Sequence, residues 1–182
     1  MRSNLLVAHP FLLIAGVVLT GCGGAQSVTD APADKGGLIG NPAPEFKLEA
    51  LNGAKETISL DRLRGQVVLV DFWGTFCDPC KKSFPKLQAL GDRYRADGLK
   101  VVGISEDDED DRGKIRPFAE AYGAKFALAW DGDKAVARRY GPETMPSSFL
   151  IDRRGVVRFV HVGFHDGEEV EIDREIRELL AH

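Results

Sequence analysis

The chain has 182 residues, 43% of them hydrophobic, with 24 Lys and Arg against 28 Asp and Glu and a formal net charge of −4. That length suits one compact domain plus appendages, the apolar share is enough for a core, and the mild acidity leaves no basic footprint for nucleic acid. Its three cysteines are not equivalent: Cys22 closes an N-terminal apolar segment, while Cys77 and Cys80 form a Cys-x-x-Cys pair.

Residues 1–21 carry an early Arg2 and an apolar run over 11–19, too short to span a bilayer but suited to a signal-peptide core. The run ends Leu19-Thr20-Gly21-Cys22, which resembles the lipobox of bacterial lipoproteins. That resemblance implies cleavage before Cys22, diacylglycerol on its sulfur and an acylated amino end; the alternatives are an uncleaved anchor or a plain secretory signal with a stray cysteine. Residues 22–40, rich in Gly, Ala, Ser, Asp and Pro, read as a flexible tether between a lipidated Cys22 and a head domain over 41–182. The expected location is the cell envelope, lipid-anchored, on the extracytoplasmic or periplasmic side.

After Pro42 and Pro44, residues 46–51 alternate apolar and polar as an edge strand does. Asn52-Gly53 is a turn signal, and 57–60 supplies a returning arm. A short turn of helix is expected over 61–63. The run Val67-Val68-Leu69-Val70-Asp71-Phe72-Trp73 reads as a strand buried on both faces. It leads through Gly74 to Cys77-Asp78-Pro79-Cys80, with Pro79 placed as an early helical residue. A helix over 81–96 follows, its Phe84, Leu87, Leu90 and Tyr94 on one stripe and Pro85 expected to bend it or shorten its first turn. Strands at 99–104 and 126–130 alternate with helices at 112–122 and 133–140. Strands 148–151 and 156–162 form a hairpin about Asp152-Arg153-Arg154-Gly155, and a helix over 168–180 closes the chain. The order β–β–β–α–β–α–β–α–β–β–α mixes parallel crossovers with antiparallel hairpins.

Strand, turn, Cys-x-x-Cys and helix together make a redox centre by their physics, because a helix N-terminus presents free N–H groups and a positive dipole end that stabilise a thiolate. A permanent disulfide and half of a metal site are the alternatives; a tetrahedral zinc site needs four ligands, and no second pair stands at finger spacing.

Three segments carry a family resemblance: Asn41-Pro42-Ala43-Pro44-Glu45-Phe46; Asp71-Phe72-Trp73-Gly74-Thr75-Phe76-Cys77-Asp78-Pro79-Cys80-Lys81-Lys82; and Met145-Pro146-Ser147-Ser148-Phe149-Leu150-Ile151-Asp152-Arg153-Arg154-Gly155. By these the chain resembles the thioredoxin superfamily, most closely its membrane-attached TlpA/ResA-like thiol-disulfide oxidoreductases. The resemblance implies an α/β thioredoxin-like fold, a central mixed sheet flanked by helices, with an added N-terminal β-hairpin and a cis peptide before Pro146. It also implies disulfide-bearing exported protein substrates such as apocytochrome c, and a membrane thiol electron donor. Three departures stand out: Phe76 in place of a common Trp, Asp78 in place of Gly or Glu, and Ser83 where some members carry an acid.

Cys77 is then expected at the exposed helix tip as the attacking thiol, with Cys80 resolving the mixed disulfide. Asp71 shares a strand face with Val67, Leu69 and Trp73; desolvation there raises its proton affinity and suits it to take the Cys80 proton. The other reading of Asp71 is a satisfied structural carboxylate. Asp78 adds negative charge beside the thiolate, which favours a reductase over an oxidase; otherwise it is an ordinary first-turn acid. Trp73, Phe76, Asp78, Pro79, Met145 and Pro146 are the expected substrate-binding residues, although Trp73 also reads as core and Pro146, without the resemblance, as a strand-entry proline. The run from Glu106 to Asp111 reads as a solvated loop that caps the following helix in part, and His161 as a packed strand residue. No cofactor and no metal are expected, and a monomer is. Two other functions compete. A peroxiredoxin needs a Pro-x-x-x-Thr/Ser-x-x-Cys loop, but those places before Cys77 hold Val70 and Gly74. A copper-handling metallochaperone would use the cysteine pair with a distant histidine such as His161.

Overall fold

A computed structural model describes residues 37–53 and 57–182. The signal segment, Cys22 and most of the tether lie outside the described residues. The elements follow the expected order: β1 (Lys47–Ala50), β2 (Thr57–Ser59), β3 (Val67–Trp73), α1 (Cys80–Tyr94), β4 (Leu99–Ser105), α2 (Arg112–Ala121), β5 (Ala127–Trp130), α3 (Ala135–Tyr140), β6 (Ser147–Ile151), β7 (Val157–Val162) and α4 (Glu168–Leu180). Short 3-10 turns stand at Asp61–Leu63 and Glu109–Asp111.

The seven strands form one sheet in the order β2-β1-β5-β4-β3-β6-β7. β3, β4 and β5 run parallel, whereas β6 and β7 close one side and β1 and β2 the other in antiparallel fashion. This is the thioredoxin-like mixed sheet with an N-terminal hairpin. β3 is central because all seven of its residues are buried and it has a strand on each side.

Because side chains alternate along a strand, β3 feeds two cores. Val67, Leu69 and Trp73 join Phe84, Leu87 and Leu90 of α1, Ile115 and Ala119 of α2, and Ile172 and Ile176 of α4. Val68, Val70 and Phe72 join Val136, Ala137 and Tyr140 of α3 with Val102, Ile104 and Phe149. Pro85 lies inside α1, which continues unbroken through it. α2 ends one residue earlier than expected and α3 starts two later, after Asp131 accepts hydrogen bonds from the Val136 and Ala137 amides. The segment before β1 is tied to the far end of the sheet: the Gly40 amide bonds the Val157 carbonyl, the Ala43 amide bonds the Gly155 carbonyl, and Pro42 bridges Val156.

Candidate active site

β3 delivers its C-terminal end to the start of α1. At Gly74 the chain leaves the strand and turns so tightly that a methyl group there would fall 2.5 Å from the Phe76 ring. The Cys77 amide bonds the Gly74 carbonyl at 3.0 Å. Three residues on, Cys80 opens α1, with Pro79 as its N-cap rather than its first residue. Cys77 and Cys80 are joined in a disulfide, Cα–Cα 5.4 Å. The Cys80 N–H points at the Cys77 sulfur, 3.2 Å away, and is the helix-terminal donor that a thiolate there would accept from.

Two expectations about this pair need correction. Cys77 is not exposed: only 4% of its surface is open, against 68% for Phe76 beside it. Bonded to Cys80, it belongs to the cluster that holds Trp73 and Phe84. Asp78 does not act as a lone negative charge either. Its side chain is turned to solvent and bonded by Lys81 at 2.6 Å, and Lys81 holds its carboxyl below the ordinary value. The charge set against the thiolate is therefore largely offset.

Asp71 lies on the β3 face that carries Leu69 and Trp73, with no exposed surface. Its Oδ1 accepts a hydrogen bond from Ser148 Oγ at 2.6 Å, and its Oδ2 has no partner among the described residues. Burial pushes its carboxyl up to about 7; the Ser148 hydroxyl opposes that, and the charge of Glu168 adds to it. A carboxyl shifted toward neutrality is thus buried in the strand that leads to the cysteine pair.

The Met145–Pro146 peptide is cis, at the start of β6. Pro146 is buried and Met145 half-buried. Phe76, Asp78 and Pro79 are exposed, which gives the site an open apolar and acidic rim. Trp73, also expected to meet substrate, has no exposed surface. It packs edge-on to Phe84 and stacks with Phe118, so it supports the site from beneath.

The acidic run holds a residue that the sequence reading missed. Asp107 is buried, not solvated, and its carboxylate accepts from the Thr75 amide at 3.1 Å, from the Thr75 hydroxyl and from Ser105 Oγ at 2.8 Å. It fixes the turn two residues before Cys77. Trp73 pairs with Ser105 in the β3–β4 register, so the residue two beyond Ser105 was placed to reach this turn. That register was the available signal. Neither Asp108 nor Asp111 caps its helix through the side chain. His161 is buried on β7 as expected, but its ring meets two carboxylates: Nε2 lies 2.7 Å from Glu175 and Nδ1 3.2 Å from Glu168. Among the described residues no group of His, Cys, Asp and Glu is arranged to hold a metal.

A disulfide-bonded Cys-x-x-Cys pair at a helix N-terminus, a fully buried acid on the strand that leads to it and a cis-proline at the start of the neighbouring strand define a thiol-disulfide oxidoreductase on a thioredoxin-like fold. The chain belongs to the AhpC/TSA family, whose model matches residues 39–160. It is 34% identical over 172 residues to thiol-disulfide oxidoreductase ResA of Bacillus anthracis, covering 94% of this chain and 95% of that protein. Among solved structures it resembles one described as thiol:disulfide interchange protein DsbE from Chlorobium tepidum (TM-score 0.72, 35% identity, 78% of this chain and 97% of that one). A protein disulfide isomerase structure from Bacteroides thetaiotaomicron matches at TM-score 0.69 and 25% identity, over 79% of this chain and 91% of that one.

Proposed function

We propose that the protein reduces disulfides of exported proteins from a lipid anchor at Cys22, drawing electrons from a membrane thiol donor. Apocytochrome c is one fitting substrate, as the resemblance to the TlpA/ResA-like oxidoreductases implies. Cys77 attacks the substrate disulfide as a thiolate and forms a mixed disulfide. Cys80 then loses its proton to Asp71 and attacks Cys77, which releases the substrate as a dithiol. Phe76, Pro79 and Met145 form the apolar seat for the substrate, with Asp78 at its edge, and the cis-proline holds an extended backbone beside the sulfurs.

The observation that carries this reading is the closed Cys77–Cys80 pair at the start of α1, reached from a strand that carries a fully buried carboxyl pushed up to about 7. The reductive direction rests on Asp71 more than on Asp78. An anionic carboxylate beneath the pair disfavours a thiolate, and a less stable reduced form is a stronger reductant. The copper reading gains nothing from His161, whose two ring nitrogens already face Glu168 and Glu175.

The test is a trap. Cys80→Ser in the full chain, expressed in an envelope-bearing host, should accumulate mixed disulfides through Cys77 with exported cysteine-containing proteins. An absence of such adducts, or peroxide consumption as fast as disulfide reduction, overturns the reading.

A further inference from the structure

The site face of the sheet carries two neighbouring cross-strand rows of opposite character. Leu69, Leu150 and Phe159 are register partners across β3, β6 and β7, and all three are apolar. Two residues nearer the cysteines, the same register pairs Asp71 with Ser148 and Ser148 with His161. Register partners stand side by side on one face, about 5 Å apart. A polar row therefore crosses three strands two residues before Trp73, the last residue of β3.

The row does not stop at β7. His161 Nδ1 lies 3.2 Å from one oxygen of Glu168, at the start of α4. The other Glu168 oxygen accepts from the His165 amide at 3.0 Å and lies 3.1 Å from His165 Nδ1. Glu168 is 5% exposed, yet the His165 side chain is 76% exposed. His161 Nε2 meets buried Glu175, whose other oxygen lies 3.6 Å from Arg174. From α1, Lys86 is engaged by Glu169. The loop carrying His165 is itself tied to the site, since the Gly163 amide bonds the Pro146 carbonyl at 2.8 Å.

The geometry points to Glu168 as a positioning residue for proton transfer at Asp71: its carboxylate, fixed by two histidines at the outer end of the polar row, sets the charge that Asp71 faces. This rests on the proposed role of Asp71 as the base. In the step concerned, the Cys80 S–H bond breaks and its proton passes to the Asp71 carboxylate. The Cys80 electron pair forms the Cys80–Cys77 bond while the Cys77–substrate S–S bond breaks. Its electrons leave on the substrate sulfur, which takes a proton from solvent. Only ionised Asp71 can accept, and an anionic Glu168 favours the protonated form of Asp71. Glu168 thus moves the onset of resolution to higher pH and couples it to a surface histidine on the loop bonded to the cis-proline.

The test is the pH profile of mixed-disulfide resolution in the full chain, with an aromatic disulfide whose thiolate product absorbs light as probe. Asp71→Asn identifies which limb of the profile belongs to Asp71. Glu168→Gln should shift that limb down by about half to one pH unit, making resolution below neutrality roughly three- to tenfold faster with the alkaline plateau unchanged. A damaged fold would slow the reaction instead. His165 is exposed, so its variants do not test folding: His165→Lys should lower the midpoint and His165→Glu should raise it. A limb that Asp71→Asn abolishes but that neither Glu168→Gln nor the His165 pair moves overturns this inference and spares the base. A limb that survives Asp71→Asn removes the base and this inference with it.

Discussion

The two faces of the central sheet are built from the same seven residues of β3, yet they differ in kind. The face toward α3 is apolar from Val68 through Val70 to Phe72, closed by a ring cluster in which Phe72 lies 5.1 Å from Tyr140 and 5.6 Å from Phe149. The face toward α1 and α4 admits Asp71, Ser148 and His161 among its apolar neighbours and ends at the disulfide. One face secures the strand; the other carries the desolvation cost of a buried acid, the group for which we propose the proton-transfer role. Stability and chemistry are thereby separated by a single residue step.

The largest way to break this comparison is at the sulfurs. Cys77→Ser should leave no measurable disulfide reductase activity, and Cys80→Ser should react once and stop, read by mass spectrometry of the adduct. Next is the apolar face. Phe72→Ala should cost about 3–5 kcal/mol of stability by chemical denaturation and leave the redox midpoint in place.

Asp71→Asn should do the reverse of Phe72→Ala. Resolution should slow by about 10²-fold, while stability rises at pH 8. The folded-state carboxyl is raised from 3.8 to about 7. The folded protein therefore keeps a proton that the unfolded chain loses, so stability falls as pH climbs between those values and stays level above them. Asn carries no such penalty, and the gain at pH 8 should be about 2–4 kcal/mol, absent at pH 3. Half-buried Glu106, pushed to about 7 by burial with Asp131 adding, contributes in the same sense, so the wild-type curve should retain part of its slope in the Asn variant.

Smaller effects probe the supports. Asp107→Ala leaves the Thr75 amide without its acceptor, and should cost about 1–3 kcal/mol and slow attack by Cys77, measured by alkylation of the reduced protein. Gly103→Ala puts a methyl group 2.8 Å from the Phe126 ring and 3.0 Å from the Trp73 indole nitrogen. It should destabilise by about 1–2 kcal/mol and alter Trp73 fluorescence.

The fold was legible because its signals are local and periodic. The unbroken apolar run of β3, the Cys-x-x-Cys at a helix start and the Ile172–Ile176 stripe each specify an element without reference to the rest. What stayed hidden depends on side chains distant in sequence. Asp107 looked like one acid among six until the β3–β4 register set it against Thr75. His161 looked like packing until α4 brought Glu168 and Glu175 to its two nitrogens. The Asp78 charge could be read from the sequence, but its offset by Lys81 depended on a rotamer.

The strap formed by Gly40, Pro42 and Ala43 has its own consequence. It clasps Val156, Val157 and Gly155, beside the β6–β7 turn, and Ile151 at that turn pairs with Val68 at the start of β3. The disulfide lies past the opposite end of β3, roughly 20 Å along the strand at about 3.3 Å per residue. The strap therefore closes the end of the sheet remote from the sulfurs, and a substitution in it should disturb the β6–β7 turn before it reaches the redox pair.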